Sequence, residues 1–145
     1  MNKVLAIVMI AMALTLAVAP VFSDCQSQGR ALTLADGRTV AMKCHWAGIA
    51  AIGAAVPLAL AGLYALLRKG RKEATRLAAT VGVASGAMGI LFPTLLIGVC
   101  ANPSMMCNLV MRPTLIAAGT IAIAASIALF VSAQERAVQA VGVAA

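Results

Sequence analysis

Aromatic residues are nearly missing from this chain, which has three phenylalanines, one tryptophan and one tyrosine among 145 residues. Without flat side chains there is no platform for stacked bases, so the net charge of +7 does not signal a nucleic-acid groove. Charge itself is scarce, at 10% of residues, against 63% apolar and a mean hydropathy of +1.02. A water-facing domain carries about a quarter charged residues, so the solvent this composition fits is a lipid bilayer. There is one histidine, and no Cys-x-x-Cys anywhere. The absence of that spacing removes the usual motif support for a zinc ribbon or a redox-active pair.

What is present is four long apolar runs, at about 4–22, 46–67, 77–99 and 113–133, none containing Asp, Glu, Lys, Arg or His. Each approaches the ~20 residues that span a ~30 Å hydrocarbon core as helix. Helix is required there because amides in lipid must bond within their own segment. The fold expected is all-α: a four-span transmembrane bundle forming one integral membrane domain over 1–145. The lack of an ionisable side chain inside any run removes the usual mark of an ion or proton pathway. Pro57 and Pro93 fall inside runs, where kinks are expected. Gly82-x-x-x-Gly86, with Ser85 and Gly89, would let another helix approach closely, within the chain or in a homo-oligomer. Trp46 and Tyr64 lie eighteen residues apart, about 27 Å along a helix, and suit the two interfacial belts.

The charges orient the chain. Arg68, Lys69, Arg71, Lys72 and Arg76 crowd the short loop 68–76. With the amino terminus inside, that cluster, Lys3 and Arg136 are cytoplasmic, against Arg30, Arg38, Lys43 and Arg112 outside. The cluster also gives the inner face affinity for anionic lipid. All four cysteines, Cys25, Cys44, Cys100 and Cys107, then fall in the outer loops 24–45 and 100–112, where disulfides persist in a cell membrane. The first run also reads as a signal peptide cleaved before Asp24; its length favours retention as a span. Either way the downstream orientation is the same.

Each outer loop has its own turn. Asp36-Gly37 between two short alternating segments predicts a two-residue β-hairpin, with Gly29 opposite Cys44. A Cys25–Cys44 bridge would staple that hairpin and contribute about 3 kcal/mol on the chain-entropy account. Asn102-Pro103-Ser104 turns the second loop so that Cys100 and Cys107 can meet. Sequence neighbours are the simplest pairing; four cysteines allow three.

No catalytic residue emerges, so the chain reads as a non-enzymatic binding or accessory component with no cofactor. Two other chemistries attach to the outer loops. His45 with Met42, Met105, Met106 and Met111 offers the soft ligands that copper or a haem iron would take. Four spans with two outer cysteine pairs also match the layout of disulfide-forming membrane oxidoreductases, although here eighteen and six residues separate the pairs. At Met42-Lys-Cys-His-Trp46, together with Cys100-x-x-Pro-x-Met-x-Cys107 and Arg112-Pro113, the chain resembles domain of unknown function 4418 (DUF4418), small bacterial and archaeal membrane proteins. The resemblance covers most of the chain. It implies four spans, no assigned activity, and an accessory role beside ABC-type permeases.

Overall fold

The structure, a computed structural model, describes residues 2–67 and 72–142. Four helices carry it: α1 (Asn2–Ser23), α2 (Lys43–Leu67), α3 (Lys72–Leu91) and α4 (Arg112–Gly142). All four are long and apolar enough to cross a membrane, the third and fourth when counted with the π turns that abut them. The helices pack as a ring, α1 on α2, α2 on α3, α3 on α4 and α4 on α1. The ring is therefore a four-helix bundle with chain neighbours adjacent.

Its interior mixes alanines with a few larger apolar side chains. On α4 the buried positions include Met111 (just before it), Leu115, Ala118, Ala122, Ala125 and Leu129; on α1 they include Ala6, Met9, Ala13, Leu16 and Pro20. Both stripes advance by alternating threes and fours, the spacing that keeps one seam facing a partner helix. The opposite faces are apolar too: Ile7, Leu14, Leu60, Leu95 and Ile127 are exposed. An apolar exterior around an apolar core is what a multi-pass membrane protein presents to lipid.

Without a hydrophobic drive between helices, close backbone approach supplies the cohesion. The Gly82-x-x-x-Gly86 stripe serves this purpose inside the chain. A β-carbon on Gly86 would lie 2.9 Å from the Gly119 carbonyl oxygen on α4, and one on Gly119 would lie 2.7 Å from that of Gly86. Replacing Gly86 by leucine is expected to destabilise the bundle by about 1–3 kcal/mol. Thermal unfolding in detergent checks this, with Gly53→Leu as control, because a β-carbon there meets nothing within 4 Å.

Pro57 is accommodated inside α2, whereas Pro93 lies in a π turn, Phe92–Leu96, that ends the third span. A second π turn, Cys107–Met111, leads into α4. The expected outer hairpin is present as β1 (Leu32–Thr33) and β2 (Thr39–Val40). Its register pairs Leu32 with Val40 and Thr33 with Thr39, one residue from the two-residue-turn expectation. The cause is a three-residue loop. Gly37 N–H donates to the Leu34 carbonyl at 3.0 Å, and Gly37, at φ +81°, takes the left-handed position that closes this loop type. Asp36 completes it by accepting from Arg38 Nε at 2.7 Å.

Candidate metal centre

Each cysteine is delivered to the same end of the bundle by a different local device. Cys25 follows α1 in a turn held by Ser27 N–H on Asp24 Oδ1 (2.6 Å) and Arg30 N–H on the Cys25 carbonyl (2.9 Å). Cys44 and His45 lie in the first turn of α2, which begins at Lys43, not in the preceding loop. Cys100 is fixed by Asn108, whose side-chain amide donates to the carbonyls of Cys100 (2.6 Å) and Asn102 (2.9 Å). Cys107 opens the second π turn. Because π turns re-aim side chains relative to an α-helix, this one turns Cys107 and Met111 inward together.

The four thiols converge. All four Sγ atoms lie within 4.8 Å of one another. Cys25 Sγ is 3.5 Å from Cys100 and 3.6 Å from Cys107, and Cys100 Sγ is 3.5 Å from Cys44. Cys25, Cys44 and Cys107 are buried and Cys100 is partly open. The disulfides expected from the sequence are not formed: all four cysteines are free thiols, and these contacts cross between the loops. The hairpin thus carries no disulfide staple.

Two thioethers border the thiols. Met105 Sδ accepts from Cys25 at 3.9 Å, and Met42 Sδ accepts from Cys100 at 3.8 Å. Of the other sequence candidates, Met111 is fully buried in the core below and Met106 is exposed. His45 is outside the thiol group as well. Its Nδ1 lies 2.7 Å from Asp24 Oδ2. An ionised carboxylate only accepts, so His45 Nδ1 carries the proton and donates. The ring also meets Trp46 edge-on at 5.8 Å. Trp46 and Tyr64 are exposed towards the two ends of α2. Of the basic cluster, Arg76 is exposed at the start of α3, while Arg68, Lys69, Arg71 and the Lys72 side chain lie outside the described residues.

Electrostatics separate the thiols. Burial pushes the Cys25 thiol well above its ordinary range, and the neighbouring thiols add to this. Burial opposes ionisation at Cys100 too, but the thiols of Cys44 and Cys25 hydrogen-bond to it and hold it below the usual value. Cys100, the most accessible of the four, therefore ionises before Cys25.

Asp24 is also shifted. Burial acts against its charge, yet the bonds from His45 and Ser27 hold its carboxyl below the ordinary 3.8. A lowered carboxylate stabilises the fold fully above 3.8, and that stabilisation disappears as pH falls through the lower folded value. Asp24→Asn is expected to cost about 1.5–3 kcal/mol at neutral pH, since it weakens charge-assisted bonds at a buried site. Melting temperature against pH checks this: the difference from the parent protein should shrink below pH 3.8.

Fold and site together define a multi-pass helical-bundle protein with a four-thiol cluster at one end of the bundle. The chain belongs to the family described as Domain of unknown function (DUF4418), whose model matches residues 4–131. No curated protein and no solved structure matches it. The cluster was not legible in the sequence because its cysteines come from four separate elements, with no pair at ligand spacing.

Proposed function

We propose that this protein is an accessory membrane component that binds a soft metal ion through Cys25, Cys44, Cys100 and Cys107. The observation that carries the reading is the mutual approach of the four thiols. A tetrahedral ion at about 2.3 Å from each sulfur sets the ligands about 3.8 Å apart. The three separations of 3.5–3.6 Å need a small outward shift to reach that value, and the remaining pairs, all within 4.8 Å, a modest inward one. An iron–sulfur cluster, whose thiolates ligate different irons, would hold them farther apart. Thiolates select Zn(II) or Cu(I) over hard cations. The distribution of Lys and Arg supports a position in the cytoplasmic membrane, amino terminus inside and thiol cluster outside. Trp46 and Tyr64, towards the two ends of α2, suit the interfacial belts of that span. An ABC-type permease is the partner class that the family resemblance implies, and ion delivery to such a permease is the accessory role assigned here.

The experiment is anaerobic metal loading of the full chain in detergent, followed by metal analysis and thiol counting with an alkylating probe. The expected result is stoichiometric metal and four thiols protected from alkylation until a chelator is added. Metal-free protein with four freely alkylated thiols would overturn the reading.

A second reading is thiol–disulfide exchange, favoured by the 3.5–3.6 Å approaches and the accessible, readily ionised Cys100. Oxidation would then join Cys44 to Cys100 and Cys25 to Cys107. Each bridge releases two protons and two electrons to an oxidised thiol partner. Peptide mapping after reaction with a disulfide such as oxidised glutathione separates this reading from the first.

A further inference from the structure

The six sulfurs in contact at this end of the bundle also divide by their thioethers. Cys25 stands 3.6 Å from Cys107 and 3.9 Å from Met105, while Cys100 stands 3.5 Å from Cys44 and 3.8 Å from Met42. These are two trios of the same composition, two thiols and one thioether. They lie side by side, with Cys25 3.5 Å from Cys100 and all four Sγ atoms within 4.8 Å of one another. We infer that the site takes two monovalent copper ions, one bound by Cys25, Cys107 and Met105 and the other by Cys44, Cys100 and Met42. This inference rests on the metal-binding reading above and specifies its ion and stoichiometry.

Three arguments favour it over a single divalent ion. A zinc ion is saturated by four thiolates and leaves no role for thioethers, which are too soft for it. Cu(I) accepts thioether sulfur, and with no ligand-field preference it is satisfied by three ligands in a plane. A trigonal ion with bonds of about 2.3 Å spaces its sulfurs about 4.0 Å apart, close to the thiol–thioether distances of 3.8 and 3.9 Å. The charge balance is also favourable. Four thiols release four protons on binding two Cu(I), leaving a net charge of minus two, the same as one Zn(II) on four thiolates. The net charge is therefore the same as with the single ion, and each copper gains a thioether ligand.

Met105 borders an opening that also reaches Cys25 and is lined by Gln28, Arg30, Ser104 and Met106. An incoming Cu(I) meets a thioether and a thiol there together.

The test is anaerobic titration of the full-length protein with Cu(I) against a chromophoric Cu(I) chelator, and separately with Zn(II). X-ray absorption of the copper-loaded protein accompanies it. Two Cu(I) per chain, all-sulfur coordination near three ligands per copper, and a copper–copper scatterer are expected. Met42→Leu and Met105→Leu, which keep side-chain volume, should each weaken one of the two Cu(I) by at least about tenfold and leave Zn(II) binding unchanged. One Cu(I) per chain, or unchanged copper affinity in both variants, overturns the inference but leaves the four-thiol metal site standing. Zinc binding without copper binding does the same. Absence of both metals removes the metal-binding reading itself. The absorption spectrum is read on the unsubstituted protein, so the result does not depend on the variants folding.

Discussion

Replacing Cys44 by serine is expected to lower the affinity of the thiol cluster for Zn(II) or Cu(I) by about a hundredfold or more. Structural zinc sites are worth about 10–16 kcal/mol at neutral pH, so one of four ligands carries about 3 kcal/mol, a factor of about 150. Serine keeps the shape and loses the chemistry: its hydroxyl stays protonated and its oxygen is hard. Cys44 is the informative choice because it is fully buried in the first turn of α2. No outside ligand easily replaces it there. Cys100→Ser should cost less, since Cys100 borders a polar cavity shared with Asn108 and Arg112, and water can supply a ligand. Competition with a chromophoric chelator measures both. If Cys44→Ser binds metal as the parent does, the thiols are structural or redox groups and the coordination reading is wrong.

The second large effect is on pH. A thiol must lose its proton to become a ligand, so apparent affinity falls as pH falls. Each thiol that is protonated in the free protein and ionised in the complex contributes a factor of ten per pH unit. Four such thiols set a limit of about ten-thousandfold per unit. Cys25, raised by burial and by its neighbours, holds its full contribution to high pH. Cys100 works the other way. Burial raises it, but hydrogen bonds from Cys44 and Cys25 lower it further, so its contribution flattens before that of Cys25. Between pH 6.5 and 7.5 the expected drop towards the acid side is thus about a thousandfold to ten-thousandfold. Disulfide bridges at the same four positions would give no such dependence, and a slope near zero would favour them.

The spans were legible because bilayer thickness imposes a length that no other feature imitates. The runs at 4–22, 46–67, 77–99 and 113–133 all lie largely within helices that are long and apolar enough to cross. Their faces were not legible. Every position in a span is apolar, so the three-four stripe through Met111, Leu115, Ala118, Ala122, Ala125 and Leu129 has no polar background to stand against. The ends were read imperfectly for a related reason. Lys43, Cys44 and His45 look like loop residues by polarity, yet α2 starts at Lys43. The hairpin turn at Asp36-Gly37 was visible, but its register depended on whether two or three residues close the loop, and both suit that pair.

By itself, the sequence determined that this is a membrane bundle with sulfur concentrated in the loops at one end. Segment length and the need of amides in lipid for internal hydrogen bonds leave no other fold for such runs. Only the tertiary structure decided what the sulfur does, because thiols contributed by four different elements meet only after the helices pack. Pairing by sequence neighbour counts the residues between cysteines; coordination depends on distances across the bundle, which Gly86 against Gly119 and the turns after α1 and before α4 set.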